Sequence, residues 1–318
     1  MSFEFPSDLR SAVETLTQAL SSGPVAVREN AASLSASYVQ GRSSSNVDVA
    51  AYLVARMPAT YAAISSVFNY VAELMPDYAP RSILDIGAGP GTASLSATRF
   101  WPSLTDLELL ERDPRFAATA TELTAALNLQ AKITQTNLQN NSSKAQMVVA
   151  AYVMAELPEN DAAAAALGLW EAAQDVLVIV EPGTPQGFAR IRHVRAALLK
   201  AGAHIIGPCT HVNPCPMESG DWCHFKTRLA RSRAHMQAKS AVVPFEDESF
   251  SWIAVSRHPV NTPRARIIAP PLATKFSVSL PLCSAAGLTT ETFASRDKAT
   301  YKQARKLNWG DALDFEPC

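Results

Sequence analysis

The sequence lacks a long hydrophobic run and a recognisable targeting segment. No apolar stretch approaches the roughly 18–20 residues that a membrane-spanning helix requires. The N-terminal residues have neither the basic start nor the apolar core of a signal peptide, and Glu4 and Asp8 argue against a mitochondrial transit peptide. We therefore predict a protein with no membrane partner, for which the cytosol is the default location.

The sequence also lacks a strong net charge. Its 28 Lys and Arg residues nearly balance 29 Asp and Glu residues, which gives a formal net charge of −1. This balance excludes a protein that is strongly basic overall. It does not exclude a local basic patch, because nucleic-acid contacts need clustered charge and not global charge.

Three regions of the chain differ in their patterning. Residues 1–80 place apolar residues at helical spacing, which predicts a helical N-terminal region. In residues 81–207, short continuous apolar runs alternate with alanine-rich helical segments, which predicts a doubly wound α/β fold with a parallel sheet. For residues 208–318 we predict a basic helix-like stretch over 225–240 and further strands that complete the sheet.

A glycine-rich loop follows the first predicted strand of the central region. Gly87, Gly89 and Gly91 would permit a tight turn and a close approach of the backbone to a ligand. A nicotinamide-type G-x-G-x-x-G loop would need glycine where Thr92 stands. The order Asp-x-Gly-x-Gly-x-Gly, starting at Asp85, instead resembles motif I of the class I methyltransferases, which bind S-adenosylmethionine. The alternative is that the glycines only permit a turn.

The ends of the next three strands carry further candidates for that cofactor. Glu111 ends the second strand, where an acid can accept hydrogen bonds from both ribose hydroxyls; otherwise it is a solvated strand end. Asn137 follows the third strand at a position typical of an adenine contact, and Tyr152 follows the fourth strand. The predicted cofactor-binding residues are Asp85, Gly87, Ala88, Gly89, Gly91, Thr92, Glu111, Asn137, Leu138 and Tyr152.

The loop after the fourth strand contains no familiar catalytic motif. It lacks the Asn-Pro-Pro-Tyr sequence of the amino-methylating enzymes and the nucleophilic cysteine of the cytosine C5-methylating enzymes. Methyl transfer can proceed by positioning alone, when the reacting atoms are held in line. The catalytic residues, and whether there are any, therefore remain open.

Four of the five cysteines lie in the C-terminal half of the chain. Cys209, Cys215 and Cys223 have the spacing C-x5-C-x7-C, Cys283 ends a predicted strand, and Cys318 is predicted to be an uninvolved terminal thiol. In a reducing compartment such clustering favours a metal centre over disulfides. The C-x2-C knuckles typical of zinc fingers are absent, and wider spacings suit an iron–sulfur cluster. From spacing alone, a cluster, a zinc ion and ordinary buried thiols all stay open.

Two basic stretches occur in the same C-terminal half. One spans 226–239 without an acid, and the other lies in a predicted C-terminal helix. Charge runs are usually solvated faces, but two of them near the cysteine segment favour phosphate binding. The residues predicted to bind nucleic acid are Lys226, Arg228, Arg231, Arg233, Lys302, Arg305 and Lys306.

Several segments taken together resemble one known family. From about residue 50 onward, the chain is similar to the methyltransferase-like small ribosomal subunit assembly proteins of bacteria and mitochondria. Thr210 is a departure, because the family commonly has proline after the first cysteine. The matching segments are 56–61, 84–92, 181–188, 208–225, 231–232, 246–251 and 304–311.

The resemblance implies a fold, two cofactors and a partner. It implies a class I S-adenosylmethionine-dependent methyltransferase fold, a 4Fe–4S cluster held by four cysteines, and association with the rRNA and proteins of the small ribosomal subunit. The missing transit peptide fits a bacterial, cytoplasmic member of the family better than a mitochondrial precursor. We also expect a monomer. The alternatives are an active rRNA methyltransferase and a small-molecule methyltransferase with a structural zinc. The implied cluster ligands are Cys209, Cys215, Cys223 and Cys283.

Overall fold

The computed structural model describes residues 4–39, 47–136, 143–158, 161–218 and 220–316. Within these ranges, no helix combines the length and the hydropathy that crossing a membrane requires. The helices are α1 Ser7–Leu20, α2 Pro24–Val39, α3 Val49–Ala55, α4 Met57–Leu74, α5 Thr92–Phe100, α6 Pro114–Ala126, α7 Ala162–Ala172, α8 Pro185–Lys200, α9 Arg233–Ala238 and α10 Lys298–Ala304. The strands are β1 Ser82–Ile86, β2 Asp106–Glu111, β3 Ala131–Gln135, β4 Ala145–Ala151, β5 Ala173–Pro182, β6 His204–Gly207, β7 Phe225–Ala230, β8 Phe245–Ser256, β9 Ala265–Ile267, β10 Leu272–Ala273, β11 Ser277–Ser284, β12 Gly287–Ala294 and β13 Ala312–Leu313.

The main sheet has the strand order β3-β2-β1-β4-β5-β8-β6, and β7 also pairs with β8. Strands β1 to β5 run parallel, whereas β8 is antiparallel to both β5 and β6. A parallel sheet with one reversed strand beside its edge is the arrangement of class I methyltransferases. The predicted α/β fold class is therefore confirmed for this part of the chain.

Helices cover both faces of this sheet. Ile83 of β1 packs in a core with α4, including the fully buried Phe68, while its neighbour Leu84 packs on the opposite face in a core with Trp170 of α7 and Leu198 of α8. Successive side chains of a strand point to opposite faces, so a strand covered on both faces must be apolar throughout. This requirement explains why the parallel strands read as continuous apolar runs in the sequence.

The stretch predicted as a basic helix over 225–240 has a different structure. It forms strand β7 followed by the six-residue helix α9. Phe225, Thr227 and Leu229 are buried and the residues between them are exposed, which is the period of a half-buried strand. The helical prediction was wrong, because a run of positive charge does not distinguish a helix from a strand, whereas this alternation is that of a strand.

The last five strands form a second, antiparallel sheet with the order β10-β11-β9-β13, in which β12 pairs with β11. The buried side chain of Arg266 on β9 joins this sheet to the rest of the molecule. Its Nε donates to the Pro208 carbonyl at 3.0 Å, and its guanidinium lies 3.8 Å from the centroid of the Tyr70 ring. The second sheet is therefore fixed beside the segment that begins the cysteine region.

A buried ion pair ties the N-terminal helices to the main sheet. Arg56, between α3 and α4, donates from Nη2 to Oε1 of Glu248 at 2.9 Å and from Nη1 to Oε2 at 3.2 Å. Both residues are less than a tenth exposed. Such a two-point contact fixes orientation as well as distance, because both guanidinium and carboxylate are planar.

We expect Glu248→Ala to lower the free energy of unfolding by about 3–5 kcal/mol, because it leaves Arg56 buried without its carboxylate. Urea denaturation measures the loss. The control is Asp247→Ala on the same strand, which removes the partner of the exposed Arg228 and should change stability little. Equal losses in the two variants would contradict the assignment.

Candidate functional site

The glycine loop lies at the carboxyl end of β1, the strand between β2 and β4. Gly87, Gly89 and Gly91 have φ angles of +62°, +55° and +86°, a region that favours glycine. A Cβ at Gly87 would lie 2.5 Å from Cγ2 of Val153. The loop therefore needs glycine for its backbone angles and, at Gly87, for space as well. It leads directly into α5, whose first N–H groups are suited to binding a ligand.

Asp85, on β1, is hydrogen-bonded to the first turn of α5, which follows the glycine loop. Its Oδ2 accepts hydrogen bonds from the backbone N of Ser94 at 3.0 Å and from the Ser94 hydroxyl at 2.9 Å. Burial raises the pKa of Asp85 to about 7, although the two hydrogen bonds act in the opposite direction. The structure thus places this predicted cofactor residue in the interior, where it holds the start of α5 against β1.

Glu111 faces the glycine loop from the end of β2. Its Oε2 accepts from the Gly89 N–H at 2.8 Å, and its Oε1 accepts from the Asp113 N–H at 2.8 Å. Asp113 instead caps α6 by accepting from the Arg115 N–H at 2.9 Å. The structure therefore brings Glu111, and not its neighbour Asp113, to the loop.

Tyr152 follows β4 on the other side of the loop. Its φ is +63°, which is unusual for a bulky residue, and its N–H donates to the Val180 carbonyl at 2.7 Å. Its hydroxyl lies 3.3 Å from Oε1 of Glu248, and the residue is only 9% exposed. Surrounding groups thus hold both the backbone and the hydroxyl of Tyr152.

Of the other predicted cofactor residues, two lie at the glycine loop and two lie outside the described residues. The Ala88 N–H donates to the Leu110 carbonyl at 3.1 Å, and Thr92 is buried in the first turn of α5. Asn137 and Leu138 lie outside the described residues.

An ion pair at the mouth of the loop was missed by the sequence reasoning. Arg112, after β2, donates from Nη2 to Oε2 of Glu156 at 2.9 Å, and Glu156 lies in a short 3-10 turn after β4. Because β1 lies between β2 and β4, this pair spans the carboxyl end of β1. The available signal was a pair of opposite charges following the two strands that flank the glycine strand.

The four predicted cysteine ligands line a single cavity. Cys209, Cys215 and Cys223 come from the loop between β6 and β7, whereas Cys283 comes from β11 of the second sheet. None of the four forms a disulfide. Burial raises the pKa of Cys209 and Cys223, and it raises that of Cys283 to about 12. The structure therefore brings the four predicted ligands to one cavity.

The separation of the cysteines bears on what they can bind. Among the described residues, no three His, Cys, Asp or Glu side chains converge closely enough to hold one metal ion. Zinc needs four ligand atoms about 2.0–2.3 Å from a single point. A 4Fe–4S core is larger and takes one thiolate on each iron. Four thiols lining one cavity have the chemistry of such a core's ligands.

The predicted nucleic-acid residues fall into two groups. Arg228 pairs with Asp247 at 2.7 Å and Arg231 pairs with Glu246 at 3.3 Å, so acids of β8 neutralise them. The other five are exposed and form no ion pair within the part of the chain that the structure describes. These five are Lys226, Arg233, Lys302, Arg305 and Lys306.

Aromatic rings connect the cysteine loop to the C-terminal segment. Trp222 and His224 stack with centroids 5.2 Å apart, and Trp309 meets the His224 ring edge-on at 4.8 Å. Nζ of Lys226 lies 5.5 Å from the centroid of the Trp309 ring. An unpaired cation and a partly exposed aromatic ring therefore lie next to the loop that carries Cys223.

The reversed strand beside the sheet edge, the glycine loop after β1 and the acid after β2 define a class I S-adenosylmethionine-dependent methyltransferase fold. Comparison with known families then narrows this class. The family model described as "Mitochondrial small ribosomal subunit Rsm22" matches residues 46–314. The chain belongs to the Rsm22 family, which confirms the resemblance to methyltransferase-like assembly proteins of the small subunit.

Two curated relatives match most of the chain. The human protein "Ribosome assembly protein METTL17, mitochondrial" is 26% identical over 291 residues, covering 82% of this chain and 61% of that protein. The Schizosaccharomyces pombe protein "Rsm22-cox11 tandem protein 2, mitochondrial" is 24% identical over 338 residues, covering 86% of this chain and 44% of that protein. The chain thus spans less than two thirds of the length of either relative.

Among solved structures, the chain is similar to the magnesium protoporphyrin IX methyltransferase from Synechocystis PCC 6803 with bound S-adenosylmethionine. It is 14% identical to this chain, with a TM-score of 0.44. The match covers 74% of this chain and 97% of that one.

The expected bacterial, cytoplasmic location is wrong. The matching family model is described as mitochondrial, and both relatives carry that word in their names. The composition of a few N-terminal residues contains too little information to decide the compartment.

We expect Gly87→Ala to weaken S-adenosylmethionine binding by about tenfold or more, because the added Cβ strains a left-handed backbone and displaces Val153. Isothermal titration calorimetry measures the affinity. The control is Gly202→Ala, which has φ +81° at the end of α8 but open space around the new Cβ. It should lose some stability and keep the affinity. Equal affinities of the two variants would show that the loop does not hold the cofactor.

Proposed function

We propose that this chain is an assembly factor of the mitochondrial small ribosomal subunit. In this proposal it holds S-adenosylmethionine at the glycine loop, carries a 4Fe–4S cluster on four cysteines and binds rRNA through its unpaired cations. The observation that carries the proposal is the cysteine-lined cavity next to unpaired basic residues in a member of the Rsm22 family. The name of the human relative, a ribosome assembly protein, supports the process.

The geometry of the loop supports the cofactor. Glu111 already accepts a hydrogen bond from the Gly89 N–H, so its carboxylate lies where ribose hydroxyls could replace that donor. The N–H groups at the start of α5 supply positive potential for a carboxylate of the ligand. Tyr152 and Glu111 follow or end the strands on either side of β1, so they would flank a ligand lying across the end of β1.

The origin of the cysteines supports a structural role for the cluster. Three of them belong to one loop, and Cys283 belongs to the second sheet. A cluster bound to all four would supply covalent links between the loop and that sheet, and its binding energy would become folding energy. The site would thereby stabilise the position of β11 and of the adjoining C-terminal segment.

The unpaired cations and the nearby ring support RNA as the partner. Lys226 and the C-terminal residues Lys302, Arg305 and Lys306 are exposed, and they lie on β7 and on or just after α10. Phosphates bind such lysines and arginines with the release of counterions. Unstacked RNA bases bind to aromatic rings such as that of Trp309.

Co-sedimentation with small ribosomal subunits tests the assembly role. We expect the wild-type chain to sediment with small-subunit particles and Cys215→Ser to lose this association, because the loop and the C-terminal segment would lose their link. The control is Cys318→Ser, which removes the cysteine outside the predicted ligand set and should sediment like the wild type. Unchanged association of a Cys215→Ser protein shown to lack iron would contradict the proposed role.

Two neighbouring cations of β7, Lys226 and Arg228, allow a test of whether the unpaired cations bind RNA. We expect Lys226→Gln to weaken binding to small-subunit rRNA several-fold and to reduce the salt dependence by about one phosphate contact. The control is the double variant Arg228→Gln, Asp247→Asn, which removes an adjacent ion pair without changing the net charge. Its affinity should stay near that of the wild type. An effect of the control as large as that of Lys226→Gln would contradict the proposed contact.

A further inference from the structure

Arg195 of α8 is a buried residue that faces the cysteine cavity. It is 5% exposed and lies among the residues that line the cavity. Its Nη2 donates to the backbone carbonyls of His211 and Asn213, both at 2.8 Å. These two carbonyls belong to the chain between Cys209 and Cys215. One guanidinium therefore fixes the conformation of the loop that joins two candidate ligands.

The charge of Arg195 lacks an ion-pair partner among the described residues. Within the described ranges it forms no ion pair, and its hydrogen bonds go to neutral carbonyls. A buried guanidinium without a counter-charge is costly in a folded protein. Arg195 lines the cavity together with all four candidate cysteines, whose thiols can become anionic.

The anchored loop also reaches the fourth cysteine. Nε2 of His211 lies 3.6 Å from Sγ of Cys283, and the carbonyl of this same histidine accepts the hydrogen bond from Arg195. Arg195 therefore holds the backbone of the residue whose ring contacts the sulfur. The loop that carries Cys209 and Cys215 is thus linked, through one side chain, to Cys283 of the second sheet.

We infer that Arg195 is the positioning and charge-balancing residue of an anionic metal–thiolate centre at the four cysteines. Four thiolates around a 4Fe–4S core leave a net negative charge, which is the counter-charge that the buried guanidinium lacks. The inference rests on the proposed cluster and adds to it a residue that the cysteine spacing does not indicate. Hydrogen-bonded partners of this kind usually change metal affinity by about 10–100-fold when they are removed.

Arg195→Gln and Arg195→Lys separate the two roles. The glutamine variant removes the charge, so we expect it to release iron to a chelator about 10–100-fold faster and to shift the reduction midpoint to more negative potential. The lysine variant keeps the charge but loses the planar guanidinium that donates to both carbonyls. It should therefore release iron faster than the wild type with a midpoint close to the wild-type value. Lys200→Gln, at the exposed end of the same helix, is the matched charge-removal control and should change neither quantity.

Each outcome separates this inference from the proposed cluster. Anaerobically purified wild-type protein without iron and sulfide would refute the cluster itself. A wild-type protein with the cluster, together with an Arg195→Gln variant of identical release rate and midpoint, would refute the role of Arg195 alone. If Arg195→Gln fails to fold, the midpoint of Arg195→Lys still decides: a value shifted like that of a charge loss would contradict charge balancing.

Discussion

The pairing of strand β8 is the constraint on which the arrangement of both sites depends. Residues 250–256 of β8 pair with β5, and residues 245–250 of β8 pair with β7. The last residues of β8 also pair with β6. The same strand carries Glu248, which binds Arg56 and contacts Tyr152, and Ser251, whose hydroxyl donates to the Cys223 carbonyl at 2.8 Å. A shift of β8 would disturb the N-terminal helices, the cofactor side of the sheet and the cysteine loop together.

The parts of the fold that depend on local pattern could be predicted from the sequence. The continuous apolar runs predicted parallel strands because both faces of that sheet are buried, as Ile83 and Leu84 illustrate. The glycines at 87, 89 and 91 predicted the loop because few other residues adopt its backbone angles. Charge was a poorer guide to structure: the basic residues at 226 and 228 are exposed positions of a strand, and the alternating buried residues were the informative ones.

The parts of the sites that depend on contacts distant in sequence could not be predicted in this way. Asp85 belongs to the glycine motif, yet its carboxylate is buried and accepts a hydrogen bond from the Ser94 N–H. The pairing of Arg228 with Asp247 and the position of Arg195 against the cysteine loop become visible only when β7, β8 and α8 are packed together. Sequence spacing suggested that the four cysteines form one site, but the cavity that all four line, together with Arg195, is a property of the fold.

The iron and acid-labile sulfide content of protein purified without oxygen tests the four-cysteine centre most directly. The proposed cluster predicts about four iron and four sulfide per chain, a brown colour and a broad absorption near roughly 400 nm. A colourless protein with one tightly bound zinc and no sulfide would contradict it.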